Sequence, residues 1–247
     1  MSEGTQAGRS PRTDLPRLEE IEHPARWALN HINGFARWVI RRRYDVQLHN
    51  TGNIPDSGPI VFASNHVGII DGPLLAIFTP RPVHALTKSE MFDHWFLGPF
   101  LHWAGQIPLY RLASDPAAVK LALRVLRGGN AMGIYPEGRR GDGDLVRFNR
   151  GAAYFALASG APVVPVTMIG SRDPGGDLSS LPHAGARIDI VYGEPFRVDR
   201  VGWPRTKEQV GHVSGLLHQH MQVQQDHALA LTGRQLPGPL SSKENND

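Results

Sequence analysis

His66 and Asp71 are the residues of this 247-residue chain with the most chemical potential. An imidazole with a carboxylate five positions on can act as a general base with an orienting partner. Such a pair can draw the proton from an alcohol as its oxygen attacks an acyl carbon. With 12 histidines in the chain the spacing also arises by chance, so its meaning depends on its company. On an ideal helix five positions turn through about 500°, which separates the two side chains. The pair is therefore expected across a strand-to-helix turn, with a strand ending at Ala63 and a helix starting at Asp71, followed by Gly72 and Pro73. There, Asp71 is either a helix cap beside a polar turn histidine, or it caps with one oxygen and holds the imidazole N–H with the other.

Three further segments follow in order. Residues 105–111 read as a turn and a short strand ending on Arg111, a guanidinium that either grips phosphate bidentately or faces solvent. In residues 135–140, Pro136 fixes the exit of a strand and Gly138 lets the backbone turn. Glu137 beside Arg139 and Arg140 forms a mixed-charge corner. It either binds a polyol and its phosphate or is an exposed turn with weak internal ion pairs. Asp142 and Asp144 read as turn residues rather than metal ligands. Val164, Pro165 and Val166 are apolar, with a proline that points to a sheet edge or an interrupted strand. Their role is shape, either the wall of an acyl channel or plain core.

The elements that must position these residues alternate. Short apolar runs at 46–48, 60–63, 83–86, 106–110, 131–135, 163–168 and 187–191 read as strands. Helical stretches at 74–78, 91–103, 116–127 and 152–158 fall between them, with a last helix from 207 to about 227. This is an α/β pattern: a single domain at 45–228 with a central, mainly parallel sheet flanked by helices. Ligands of such sheets gather at the carboxyl ends of the strands, where the candidate residues fall.

Ahead of the domain, residues 17–44 read as an amphipathic helical segment, its helix at 24–43 carrying Trp27, Phe35 and Trp38 among five arginines. The pattern suits a bilayer interface, but a helix packed on the domain with snorkelling arginines is the favoured reading. Residues 1–16 and 229–247 are polar and read as disordered tails.

Composition narrows the function. A net charge of +3 permits an anionic partner without singling out nucleic acid, and no nucleic-acid-binding signature appears. With no cysteine, disulfides, thiolate metal sites and a sulfur nucleophile are excluded. No second His–carboxylate set suggests a metal, and neither a G-x-S-x-G elbow nor a phosphate-binding Gly loop is present. No run is long and apolar enough to span a bilayer, and no signal-peptide core is visible.

Taken together, Asn65-His66 with Asp71, then Gly105, Ile107 and Arg111, then Pro136-Glu137-Gly138 with Arg140, then Val164-Pro165-Val166 resemble the ordered blocks of the glycerolipid acyltransferase family. That family is typified by bacterial 1-acylglycerol-3-phosphate acyltransferases. Its pattern runs N-H-x-S-x-x-D, G-x-I-x-x-x-R, F-P-E-G-T-R and V-P-V. The resemblance spans roughly residues 55–196, with Lys88 in a matching segment ahead of the second block. It implies the glycerol-3-phosphate acyltransferase-like fold, His66 as general base and Asp71 as the holder of its tautomer. It further implies that Arg111, Glu137 and Arg140 bind the acceptor's phosphate and glycerol and that Lys88 adds positive charge; Gly138 and Arg139 in the same turn are further candidate substrate contacts, Arg139 either favouring a more anionic acceptor or facing solvent. The donor implied is an acyl thioester on coenzyme A or acyl carrier protein, with no bound cofactor or metal. The implied setting is the cytoplasmic face of the cell membrane, peripherally attached. Three positions depart from the pattern: Gly68 replaces Ser, Arg139 replaces Thr, and Gly141 follows Arg140 in place of Ser. These affect the acceptor side, so a different lipid acceptor, or a non-catalytic module binding anionic lipid, are the alternatives.

Overall fold

The computed structural model describes residues 18, 21–24, 31, 33–110 and 115–239. Seven strands form one sheet: β1 (Asp45–His49), β2 (Ile60–Ser64), β3 (Val83–Lys88), β4 (Ile107–Leu109), β5 (Ala131–Ile134), β6 (Val163–Ile169) and β7 (Arg187–Tyr192). Their order is β1-β7-β6-β2-β5-β3-β4. Every neighbouring pair is parallel except β6 with β7. Five strands thus end on the same edge of the sheet, with β2 at the centre. The single-domain α/β architecture and all seven strands agree with the sequence pattern.

The period of two along a strand divides the core. Ile60 and Phe62 of β2 face one layer, with Val164 and Val166 of β6, and pack under α2 (Asp71–Phe78) through Leu74, Leu75 and Phe78. Val61 and Ala63 face the other layer, formed by α4 (Pro116–Arg127) and α5 (Gly151–Ser159). There α6 (Lys207–Thr232) covers α5, which explains why α5 is apolar on all sides.

Local chemistry sets the helix ends. Asp115 accepts from the amides of Ala117 and Ala118 at the start of α4, with Pro116 in the first turn. Thr206 and Gln209 cap α6 reciprocally. The stretch read as one helix at 91–103 is a 3₁₀ turn, Ser89–Met91, followed by α3 (Leu97–Trp103).

Two boundaries need correction. Within the segment read as helical at 17–44, residues 21–24 are not helical, Leu18 is buried in the core, and the described helix is α1 (Asn33–Arg43). The segment read as a tail from 229 is ordered to residue 239: α6 runs to Thr232, Arg234 pairs with Asp189, and the Gly238 carbonyl accepts from Arg172. Residues 1–16 and 240–247 lie outside the described residues.

Pro165 is neither at a sheet edge nor in a broken strand. It lies inside β6, in register with Ala63 of β2. The carbonyls of Pro162 and Val166 face β2, so by alternation Val163 and Pro165 face away from it. On that side β7 ends at Tyr192; the Pro165 carbonyl still accepts from the Gly193 N–H at 2.9 Å, and the next bridge is where Val163 meets Phe196. The missing proline N–H therefore falls where no ladder acceptor is needed.

Candidate active site

β2 ends at Ser64, and the next residue extends its ladder with its side chain. The Asn65 amide donates to the Met168 carbonyl at 3.1 Å and accepts from the Met168 N–H at 2.8 Å. This fixes the point at which His66 leaves the sheet. The His66 backbone is then held from both sides by the loop after β5. Its N–H donates to Glu137 Oε1 at 2.9 Å, and its carbonyl accepts from the Gly141 N–H at 2.8 Å.

The imidazole meets Asp71 as expected, with Nδ1 2.8 Å from Oδ2. A carboxylate can only accept, so Nδ1 carries the hydrogen and Nε2 is left as the basic atom. Among the described residues Nε2 has no hydrogen-bond partner, and the side chain keeps 20% of its surface exposed. Asp71 is fully buried. Its oxygens do not divide capping from orientation. Oδ2 takes the imidazole and also the N–H groups of Val67 (2.7 Å) and Gly68 (2.9 Å), while buried Oδ1 has no partner. Nor does the side chain cap the helix; Asp71 is its first residue, and Ile70 stands at the cap.

Two glycines allow this turn to close. A Cβ on Gly68 would lie 2.3 Å from the Ser171 carbonyl oxygen, just past β6. A Cβ on Gly143 would lie 2.1 Å from Val67 Cγ1, and Gly143 has φ +74°. The absence of a serine at 68 is thus a matter of space.

The ring of Tyr135, the residue after β5, lies over the imidazole with centroids 4.1 Å apart and planes 22° from parallel. Its hydroxyl is enclosed without a partner, at a cost of about 1–3 kcal/mol. Burial pushes the phenol well above its usual range, and the charge of Asp71 adds to this.

Glu137 points inward and is buried. Burial raises its carboxyl to about 7; the His66 amide opposes the rise, and Asp144, Asp71 and Asp142 reinforce it. Among the described residues it forms no ion pair with Arg139 or Arg140, so the exposed mixed-charge turn is replaced by a carboxyl buried under the histidine loop. Gly138, at φ +73°, makes the turn, its N–H donating to the Tyr135 carbonyl. Arg139 is exposed, and half-buried Arg140 donates to the Leu178 carbonyl at 2.5 Å.

Lys88 ends β3 on the same edge of the sheet, 3.0 Å from Glu90, both side chains exposed. Arg111 lies outside the described residues. Val164, Pro165 and Val166 are core. No group of three or more histidine or acidic side chains is arranged for a metal among the described residues.

The sequence singles out His66 and Asp71, which the structure brings together, but gives no role to Asn65, Tyr135 or Gly141. The available signals were Tyr135 and Gly141 flanking the Pro-Glu-Gly turn, and Asn65 next to the histidine. The roles themselves depend on contacts distant in sequence.

The family model described as Acyltransferase matches residues 45–169, half of the chain. A 1-acyl-sn-glycerol-3-phosphate acyltransferase of Bacillus subtilis (strain 168) is 27% identical over 184 residues, covering 74% of this chain and 89% of that protein. The chloroplastic 1-acyl-sn-glycerol-3-phosphate acyltransferase LPAT1 of Arabidopsis thaliana is 32% identical over 157 residues, 60% of this chain and 43% of that longer protein. The crystal structure of the 1-acyl-sn-glycerophosphate (LPA) acyltransferase PlsC from Thermotoga maritima superimposes with a TM-score of 0.64 at 20% identity, covering 83% of this chain and 80% of that one. The fold is shared with that enzyme, and the matched residues include His66, Asp71, Glu137 and the V-P-V strand: the chain belongs to the acyltransferase family and is an enzyme of that class.

Proposed function

We propose that the chain moves a fatty acyl group from a thioester, acyl-CoA or acyl carrier protein, to the hydroxyl of a lysophospholipid, most simply the sn-2 hydroxyl of 1-acylglycerol-3-phosphate. The observation that carries this reading is an imidazole held at Nδ1 by a buried carboxylate, with Nε2 left to accept a proton. The names of the bacterial and plant relatives support the acceptor.

In the reaction, Nε2 takes the proton of the acceptor hydroxyl as its oxygen attacks the thioester carbonyl carbon. Asp71 stabilises the imidazolium that forms and keeps its Nδ1–H in place. The tetrahedral intermediate collapses with cleavage of the C–S bond, and the imidazolium returns its proton to the departing thiolate. No acyl-enzyme is required, in keeping with a sequence without cysteine. A positioned base supplies about 10²–10⁴-fold, so alignment of the two substrates must supply much of the rest.

For the acceptor, Arg111, Arg139, Arg140 and Lys88 offer positive charge around the phosphate. Glu137, buried under the histidine loop with its carboxyl near 7, acts on the acceptor only from below, as a partly neutral group that repels the phosphate less than a full carboxylate would.

Attachment to a membrane surface is part of the same reading. α1 has no buried residue, exposes Phe35, Trp38 and Val39, and ends in Arg41, Arg42 and Arg43. No described helix is long and apolar enough to cross a membrane.

Thiol release from acyl-CoA and acyl carrier protein donors, with and without a panel of lysolipids, tests the proposal. Release that depends on 1-acylglycerol-3-phosphate is expected. Release stimulated only by unphosphorylated acceptors, or by none, overturns it.

A further inference from the structure

We propose that Tyr135 is a positioning residue for His66: its aromatic face holds the imidazole plane and stabilises the imidazolium that forms when the acceptor hydroxyl is deprotonated. The inference rests on the reading of His66 as the base.

The contact is face to face, at 4.1 Å and 22° between planes, and the ring is fixed where it lies. Tyr135 directly follows β5. Its carbonyl accepts from the Gly138 N–H, and the next carbonyl, of Pro136, takes both the backbone and the side-chain N–H of Asn149. The backbone on either side of the ring thus has little freedom. The opposite constraint, Asp71 on Nδ1, acts in the plane of the imidazole. One partner sets the direction of the ring edge, and the other sets its plane.

Two neutral rings so stacked gain little beyond packing. Once Nε2 is protonated, a cation lies over an electron-rich face shielded from water, and the attraction grows. The gain falls on the charged state and not the resting one, as transition-state stabilisation requires. The hydroxyl makes no hydrogen bond in the resting structure, where it is enclosed with no partner. The titratable groups facing His66 are Asp71 at the start of α2 and, from the loop after β5, Glu137 and Tyr135 itself. Asp142 and Asp144 act on Glu137. Glu137 titrates in every variant below, so the difference between variants is what is read.

The test uses the full chain with Tyr135→Phe, Tyr135→Leu and pentafluorophenylalanine at 135. Measured are kcat, KM and the acid limb of the pH profile of kcat/KM. Tyr135→Phe removes the idle hydroxyl and keeps the face, so kcat stays within about twofold. The fluorinated ring keeps the shape but reverses the charge of the face. It should lower kcat about tenfold with KM little changed, and move the acid limb about one unit to lower pH, as expected for a desolvated cation–π contact. Tyr135→Leu should behave likewise, and the fluorinated ring guards against misfolding of the leucine variant. An acid limb and kcat that coincide for the Phe and fluorinated proteins overturn the proposal. If His66→Ala is inactive in the same assay, that result leaves His66 as the base and removes only Tyr135. If His66→Ala turns over normally, both readings fall.

Discussion

At the scale of single residues, the site is a histidine whose backbone and ring are both held. Glu137 supplies one hold and carries a proton cost that can be measured. Its carboxyl has an ordinary value of 4.5 and stands at about 7 in the folded chain. Below pH 4.5 both states are protonated and its contribution to stability is complete. Between 4.5 and 7 the unfolded chain loses the proton and the folded chain keeps it, so stability falls, by on the order of 3 kcal/mol. Glu137→Gln should abolish that part of the decline, which urea unfolding at pH 5 and pH 7 would detect; an identical pH dependence in the variant would remove Glu137 as its source. A second prediction concerns Gly68→Ser, which restores the family's residue. The Ser171 carbonyl occupies the space, so we expect a loss of about 1–3 kcal/mol and lower activity. A variant as stable and active as the parent would show that the turn yields. At this scale the sequence made His66 and Asp71 legible, because the types and spacing belong to the chemistry. It did not reveal that one Asp71 oxygen takes three donors, or that Gly68 faces Ser171. The first depends on how a local turn folds back on one carboxylate oxygen, and the second on a residue about a hundred positions away meeting that turn.

At the scale of elements, the site is assembled where β2, β5 and β6 end on one edge of the sheet. β2 delivers His66, β5 delivers Tyr135 and Glu137, and β6 holds Asn65. The loop after β5 closes over the first turn through Gly143, whose backbone lies against Val67 and whose carbonyl accepts from Gln225 of α6. Gly143→Ala meets both the positive φ and the side chain of Val67. A cost of about 2 kcal/mol or more is expected, with kcat reduced as the histidine loop shifts. Wild-type melting and turnover would show that this packing is not required. The strands were legible because short apolar runs alternate with helical periods, and even their limits fell within one or two residues. Pro165 was misplaced because the rule for proline in sheets concerns ladder hydrogen bonds, and which ladder ends early cannot be read from one strand. The end of α6 was missed because nothing in its polar sequence shows that Arg234 and Gly238 return to the sheet.

For the whole molecule, the proposed reaction requires a lipid and a thioester to reach one edge of the sheet. α1 presents Phe35, Trp38 and Val39 outward beside three arginines, which suits the surface of an anionic bilayer. Deleting residues 1–43 should lower co-sedimentation with anionic vesicles several-fold; equal sedimentation would reduce α1 to a packing element. Arg111→Ala should raise KM for a phosphorylated acceptor with little change in kcat, and an unchanged KM would remove it from the phosphate site. Everything proposed for the reaction depends on proton transfer to His66. Turnover of acyl-CoA with 1-acylglycerol-3-phosphate by His66→Ala, set against acceptor binding by the same protein, tests it most directly. The arrangement of His66, Asp71 and the open Nε2 predicts a loss of about 10³-fold or more in kcat with acceptor affinity retained. Turnover near that of the parent would contradict it.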